Sequence, residues 1–486
     1  MFIRALLCTA ALFVAMFSGS GSAQTVPAPK ELVDWITESV PRVQPEGWPV
    51  KPAGPETPAM VPIQALSQAE PGVPPDRGEV DFAQREREAP PAIRQRLAAL
   101  RARIAAENLS FEVGYTTAMD LPLELLAGTR LPPDLARIAA VQNRRAAQML
   151  AIDRAALARF NAAKPGVLPE LKAKLGCVTT ARSFDWRHFK KVTPVRNQGA
   201  CGSCWAFAAL GAYEGNYAIR NTSLVNASEQ DLLSCSGAGS CGGGWWGPSF
   251  DYLIETGVAR EADYPYTASD SPCQDPGSRP YRAVAWGFVG GGNPTIAQMK
   301  AALCEYGPLA VGVRATPAFQ AYTGGVFDET DPLAINHGVT LIGWDDDKGD
   351  HGAWLIKNSW GPWWGSTCEF GNERGYMWIA YGSNRIGEGA SWVRAENVFY
   401  QLPPGWQEKF RVEQRPPLEA QRRPILAPRP REAPPRETPP RVVPPRREVP
   451  PRLVPRREEP SREEPSREEP PQEPRRVPLP RRGFRR

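Results

Sequence analysis

Histidine is scarce in this chain of 486 residues, which contains only three. A single Cys-x-x-Cys segment occurs, at residues 201–204, with no second such segment and no histidine pair near it. Such a segment can serve zinc binding or dithiol redox chemistry, but a structural zinc site takes four Cys or His ligands at short spacings. The sequence therefore disfavours a metal centre, and we expect neither a metal nor another cofactor.

Long apolar runs are also lacking, apart from one at residues 5–17. This run follows Arg4 and precedes small residues up to position 23, which is the pattern of a secretory signal peptide. The run is too short for a membrane helix. We therefore predict a signal peptide at residues 1–23, no membrane span, and a secreted or periplasmic, extracytoplasmic location in which cysteines can oxidise.

Residues 411–486 lack cysteine, and their only aromatic residue is Phe484. Residues 411–486 hold 21 prolines, 21 arginines and 12 glutamates, which gives this segment a net charge of +9. Such a composition cannot bury a core, so we predict a disordered Pro/Arg/Glu-rich tail at residues 403–486. The tail is interpreted as a solvated spacer, or as an attachment to an anionic envelope surface or an SH3-like domain. Nucleic-acid binding is disfavoured because no aromatic residues are interleaved with the arginines.

The most informative segment that is present covers residues 197–207 and reads Asn-Gln-Gly-Ala-Cys-Gly-Ser-Cys-Trp-Ala-Phe. The apolar run that begins at Trp205 predicts a helix, so Cys204 would lie at a helix N-terminus. The partial positive charge at that end favours the thiolate, which is the reactive form of cysteine. The backbone N–H of Cys204 and the side chain of Gln198 could then donate to a developing oxyanion. This segment therefore predicts a thiol nucleophile.

A nucleophilic thiol needs a base, and His337 lies in an apolar, strand-like run. Downstream, Asn358 stands in the segment Lys-Asn-Ser-Trp-Gly, where its side chain could accept from the imidazole and fix the tautomer. Trp360 in the same segment could shield that hydrogen bond from water. The other two histidines, His188 and His351, are interpreted as surface, packing or solvated residues.

Taken together, these segments resemble the active-site segments of papain-like cysteine peptidases of the cathepsin and papain type, in the same order along the chain. The resemblance implies an α+β, papain-like two-lobe fold with a helical left lobe and a β-barrel-like right lobe. It also implies a secreted cysteine endopeptidase that hydrolyses polypeptide substrates through a Cys-His thiolate and a thioester intermediate. Four catalytic residues are implied: Gln198, Cys204, His337 and Asn358.

The resemblance also implies a substrate cleft with six lining residues: Gly243, Gly244, Trp245, Trp246, Gly312 and Trp360. The two glycines would pair with an extended substrate backbone, which is a sequence-tolerant mode of recognition. The two adjacent tryptophans and Gly312 would wall an apolar specificity pocket. We therefore expect a hydrophobic or aromatic residue two positions before the scissile bond.

Eight cysteines follow the signal peptide. The resemblance implies two disulfide bridges, Cys201–Cys241 and Cys235–Cys273. With Cys204 kept free, we expect one further bridge and one free thiol among three cysteines, in a pairing left open: Cys177, Cys304 and Cys368.

The remaining zones follow from composition and periodicity. Residues 24–80 are rich in proline and are predicted to be a linker, and residues 178–402 are the predicted peptidase domain. Between them, residues 81–177 contain a charged amphipathic helix at about 84–108. This helix is interpreted either as an ordinary surface helix or as part of an inhibitory prosegment, because Leu97, Ile104 and Asn108 match the spacing of that family's prosegment helix. The second interpretation makes the chain a zymogen, with its own prosegment as inhibitor.

Three functions fit this pattern to different degrees. An active endopeptidase is favoured because Gln198, Cys204, His337 and Asn358 are all present. A non-catalytic papain-like binding protein, anchored by its tail, is the second hypothesis. A cell-wall amidase with a related Cys-His core is disfavoured, because the Gln198 spacing, the Asn-Ser-Trp segment and the implied disulfides match peptidases.

Overall fold

The computed structural model describes residues 81–165 and 176–410. The predicted signal peptide, the proline-rich linker and residues 411–486 of the tail lie outside the described residues. No helix among the described residues is long and apolar enough to cross a membrane.

Helices dominate the N-terminal part of the described chain. The α-helices are, in chain order, α1 (Phe82–Glu88), α2 (Pro91–Glu107), α3 (Leu135–Ala163), α4 (Cys204–Asn221), α5 (Glu229–Cys235), α6 (Trp246–Glu255), α7 (Ile296–Tyr306) and α8 (Pro317–Ala321). Short 3₁₀ turns lie at Thr117–Asp120, Leu123–Leu125, Trp186–Phe189, Ser383–Arg385 and Trp406–Phe410. Helix α5 begins where the sequence indicates, since the Ser228 side chain accepts from the Asp231 N–H at 2.9 Å and caps the helix.

Strands dominate the C-terminal part. They are β1 (Phe111–Val113), β2 (Ser183–Asp185), β3 (Gly239–Ser240), β4 (Gly243–Gly244), β5 (Ala283–Phe288), β6 (Leu309–Val313), β7 (Tyr322–Phe327), β8 (His337–Asp345), β9 (Ala353–Lys357), β10 (Tyr376–Ala380) and β11 (Glu388–Ala395). The main sheet has the order β1-β7-β10-β9-β8-β6-β11-β5, with β2 paired to β8. Its pairs are antiparallel except β7–β10, which is parallel.

This arrangement confirms the predicted α+β fold, with helices concentrated before residue 256 and most strands after residue 282. The barrel-like half is an open path of strands in the described residues, because β1 and β5 end the path and do not pair with each other. Strands β3 and β4 form a separate two-stranded hairpin.

Helix α4 is the centre of the core. Every one of its residues is buried, and it packs against β8, β11 and α6. A Cβ atom on Gly211 of α4 would clash with the Thr340 side chain of β8. A glycine is therefore required where the helix crosses the strand.

Three disulfides link the described residues. Cys201–Cys241 and Cys235–Cys273 are the pairs that the resemblance implies, and the third bridge is Cys177–Cys304. Cys204 and Cys368 are free and buried. The predicted boundary at residue 177 thus assigns to the prosegment a cysteine that is bonded to the catalytic domain.

The predicted start of the tail at residue 403 is wrong. Trp406 and Phe410 are 4% and 9% exposed and belong to the main core, and Arg145 of α3 donates to the Phe410 carbonyl at 2.9 Å. The prediction rests on the average composition of a long segment. Two apolar side chains at the beginning of that segment are enough to hold residues 403–410 against the domain.

Replacing Trp406 with alanine should therefore destabilise the protein. We expect Trp406→Ala to lower the free energy of unfolding by about 3–5 kcal/mol, because truncating a buried tryptophan leaves a cavity. Phe399→Ala is the matched control, since Phe399 is 37% exposed, and it should change stability by less than about 0.5 kcal/mol. Urea denaturation of the full-length protein measures both values, and equal stabilities of the two variants would contradict this packing.

Candidate active site

Cys204 is the first residue of α4 and is fully buried. Its sulfur lies 3.1 Å from the Thr129 hydroxyl oxygen, and the Gly128 N–H donates to it at 3.4 Å. Both partners come from the segment N-terminal to α3. The sulfur is therefore held at a helix N-terminus, where the peptide dipoles favour a negative charge.

His337 is the first residue of β8, and its Nε2 lies 2.7 Å from the Asn358 Oδ1. The same amide oxygen accepts from the Ser359 N–H at 2.8 Å, which fixes the orientation of the Asn358 side chain. Because an amide oxygen can only accept, Nε2 must carry the hydrogen, and Nδ1 is left to exchange protons. Trp360, with its ring centre 4.6 Å from that of His337, buries the pair.

The thiol of Cys204 is unusually acidic. Burial on its own raises the pKa of Cys204, but the positive charge of His337 and the hydroxyl of Thr129 lower it to about 7. Within the described residues, His337 Nδ1 makes no hydrogen bond of ordinary geometry. We therefore attribute the lowered pKa chiefly to the nearby charge of His337, which leaves a large share of the thiol ionised at neutral pH.

Asn358 is positioned by a buried lysine immediately before it. Lys357 donates through Nζ to the Thr193 carbonyl and hydroxyl oxygens, each at 2.9 Å, and burial lowers the pKa of this lysine. The Thr193 hydroxyl donates in turn to Glu214 at 2.6 Å. These contacts fix the end of β9 and hence the orientation of the Asn358 side chain.

Gln198 is fully buried, and its Nε2 donates to the Leu126 carbonyl at 2.9 Å and to the Cys201 carbonyl at 2.8 Å. Its Oε1 accepts from the Ser359 hydroxyl at 2.8 Å. The amide N–H of Gln198 thus already binds a backbone carbonyl oxygen.

Tyr266 is a residue of the site that sequence reasoning did not assign to it. Its hydroxyl donates to the Gln198 carbonyl at 2.8 Å and pairs with the Ser203 hydroxyl at 2.6 Å. It joins the loop that carries Gln198 to the residue before Cys204. Its position after Tyr-Pro was the available signal, but this contact spans more than sixty residues and cannot be read from spacing.

Three of the predicted substrate residues have close packing contacts in the structure. Trp246 is buried and borders Gly389, which is also bordered by the Leu131 side chain. A Cβ atom on Gly312 would meet the Glu388 carbonyl and Ile335, so this position is tightly packed. Trp245 packs against two aromatic side chains of β5, with ring centres 6.1 Å apart in each case.

Residues 126–131, which we call the blocking segment, fill the cleft. Arg130 N donates to the Gly244 carbonyl and Gly244 N donates to the Gly128 carbonyl, each at 2.9 Å, in a parallel pairing. On the opposite side, Thr129 N donates to the Asn336 carbonyl at 2.8 Å. The sulfur of Cys204 therefore contacts an N–H and a hydroxyl of this segment.

The described residues of this site form no group of metal ligands. Among residues 81–165 and 176–410, no group of three or more His, Cys, Asp or Glu side chains is placed to hold a metal ion. The arrangement of a thiol, an imidazole, an amide acceptor and an N–H donor is suited to acyl transfer.

Comparison with known proteins agrees with this chemistry. A sequence model described as papain family cysteine protease matches residues 180–395. Digestive cysteine proteinase 3 of Homarus americanus is 37% identical over 225 residues, a match that covers 43% of this chain and 68% of the relative. Fruit bromelain of Ananas comosus is 37% identical over 202 residues, covering 41% of this chain and 55% of bromelain.

The structure of digestive procathepsin L2 from Tenebrio molitor larval midgut matches with a TM-score of 0.49 and 26% identity, over 68% of this chain and 96% of that one. The matching family model and the curated relatives define a cysteine-type endopeptidase. The chain belongs to the papain family of cysteine proteases, and the resemblance seen in the sequence is confirmed.

The blocking segment depends on a close approach at Gly128. A Cβ atom there would clash with the Gly202 carbonyl oxygen, and such overpacking costs about 1–3 kcal/mol. Gly128→Ala should therefore open the uncleaved protein and speed alkylation of Cys204 by iodoacetamide roughly tenfold, as measured by mass spectrometry. Gly291→Ala is the control, since no atom lies within 4 Å of its added Cβ, and equal rates for both variants would contradict this role of the blocking segment.

Proposed function

We propose that this protein is an exported endopeptidase, made as a zymogen, in which Cys204 is the nucleophile and His337 the proton carrier. The observation that carries the proposal is the buried pair itself. The pKa of Cys204 is lowered to about 7 at the N-terminus of α4, and Asn358 holds His337 Nε2 at 2.7 Å. A structural cysteine buried without such a partner would have a raised pKa, as Cys368 does.

The reaction follows from these positions. The Cys204 thiolate attacks the peptide carbonyl carbon, and a carbon–sulfur bond forms as the carbonyl oxygen becomes an oxyanion. His337 gives its Nδ1 proton to the leaving nitrogen, the carbon–nitrogen bond breaks, and a thioester remains. Water then adds to the thioester, His337 takes its proton, and release of the carboxylic acid restores the thiolate.

Gln198 is proposed to stabilise the oxyanion together with the Cys204 N–H. Its Nε2 already donates to a backbone carbonyl oxygen, that of Leu126, at 2.9 Å. A donor that is buried and held by Ser359 needs little reorganisation when charge develops, and removing one such donor commonly costs about 10²–10³-fold in kcat.

The zymogen part of the proposal rests on the blocking segment and on a contact between α2 and the catalytic domain. The Arg103 side chain of α2 lies 2.6 Å from Glu329, whose side chain is 1% exposed. Within the prosegment, the hydrogen bond from Arg101 lowers the pKa of Glu86. A carboxyl with a lowered folded-state pKa loses its contribution to stability as the pH falls through that pKa, so acid should loosen the prosegment and favour its removal.

The substrate and the location are proposed on separate grounds. Leu131 and Trp246 both border Gly389, which supports a preference for a hydrophobic residue two positions before the scissile bond.

The predicted signal peptide and three disulfides suit an exported protein. Attachment of the tail to an anionic surface stays a prediction, since residues 411–486 lie outside the described residues.

The test is hydrolysis of a fluorogenic peptide by the acid-processed protein. Cys204→Ala should abolish turnover, and His337→Ala should lower kcat by roughly 10²–10⁴-fold because the proton carrier is lost. Asn358→Ala should cause a smaller loss, because Asn358 orients the base and transfers no proton.

Cys368→Ala is the matched control, since Cys368 is the other free, buried cysteine of the described chain. It should retain turnover. Activity that survives Cys204→Ala, or a correctly processed protein with no activity, would overturn the proposed function.

A further inference from the structure

Helix α3 follows the blocking segment and is much longer than the helices before it, with 29 residues. Its buried residues recur every three or four positions and so form one face: Ala139, Gln142, Ala146, Met149, Leu150, Ile152, Asp153 and Ala156. This face packs against β5, which ends the main sheet.

The side chains of α3 complete the free edge of β5. Gln142 donates to the Trp286 carbonyl at 2.7 Å, and Asn143 both accepts from the Phe288 N–H at 2.8 Å and donates to the Phe288 carbonyl at 3.1 Å. All six residues of β5 are buried. Without α3, the sheet would end in an apolar strand with unpaired backbone groups, which is an aggregation hazard.

A buried carboxylate ties the same helix to the centre of the domain. Asp153 is 0% exposed, and its Oδ1 accepts from Arg220 of α4 at 3.0 Å and from the Tyr400 hydroxyl at 2.7 Å. Its Oδ2 accepts from Arg394 of β11 at 2.6 Å. Burial opposes ionisation of Asp153, but the two guanidinium groups outweigh it and lower its pKa.

Removing α3 would take this carboxylate away from two arginines that are themselves buried in the catalytic domain. Removing one partner of a buried ion pair is strongly destabilising. The blocking segment contacts the domain through backbone hydrogen bonds and through the buried Leu126 side chain. The turn that follows it exposes Pro133 and Asp134, and exposed turns of this kind are preferred sites of proteolysis.

We propose that α3 is a permanent part of the mature enzyme, and that activation hydrolyses a peptide bond between the blocking segment and α3. This inference rests on the proposed function, since it concerns the activation of that same site. It moves the end of the released prosegment from residue 177 to a position before residue 135. The catalytic domain of this chain is then larger than the matched residues 180–395.

The first test identifies what remains bound after activation. The full-length protein is activated in acid, purified by size exclusion under native conditions, labelled with an epoxide inhibitor of cysteine peptidases, and analysed by mass spectrometry after denaturation. A fragment that ends at Cys177 would stay bonded to Cys304, so the masses are read after reduction, and we expect α3 on the same polypeptide as Cys204. We expect peptides of residues 135–163 in equal amount with labelled Cys204. An active, labelled fraction without them would overturn the inference alone, whereas a processed protein that neither hydrolyses peptide nor takes the label would overturn the proposed function as well.

The second test compares melting temperatures before and after activation. Asp153→Asn should lower the melting temperature by roughly 4 °C or more in both forms, because α3 is present in both. Arg144→Gln is the control, since Arg144 is an exposed residue of the same helix, and it should change neither value. A shift by Asp153→Asn that disappears after activation would overturn the inference. If that variant does not fold, Asn143→Ala serves in the same comparison.

Discussion

The close approach of helix α4 to strand β8 is the constraint on which the rest of this structure depends. It brings the first residue of the helix, Cys204, to the first residue of the strand, His337. A glycine makes the approach possible, because a side chain on Gly211 would clash with Thr340. The charge of His337 can then offset burial and hold the pKa of Cys204 near 7.

The proposed inhibition uses the groups that the proposed catalysis would use. The Leu126 carbonyl of the blocking segment accepts the hydrogen bond that the Gln198 side chain donates. The backbone of the same segment pairs with Gly244. Its Gly128 and Thr129 contact the Cys204 sulfur. A substrate would need the same donor and the same strand edge. The two states therefore exclude each other, and the latent protein needs no distortion of its catalytic residues.

The sequence predicts the candidate catalytic residues of this site better than the contacts that surround them. Short motifs identify Gln198, Cys204, His337 and Asn358, because the residue types and their order carry the chemical requirement. Contacts made across long separations were not predictable in this way. Tyr266 reaches the Gln198 loop, and Trp406 packs into the core from a segment whose composition indicates disorder. The role of α3 was missed for the same reason, since its periodicity reveals a buried face but not the strand that this face covers.

The most direct test of the account is the pH dependence of alkylation at Cys204 in the activated enzyme, with Cys368 as internal reference. Both thiols are buried, but burial raises the pKa of Cys368 to about 12, whereas His337 brings that of Cys204 to about 7. Only the thiolate reacts, so the rate at Cys204 should rise with pH around a midpoint below the ordinary thiol value of about 8.5, while Cys368 stays unmodified. His337→Ala should move that midpoint upward. A midpoint for Cys204 near 9 that is unchanged by His337→Ala would contradict the account.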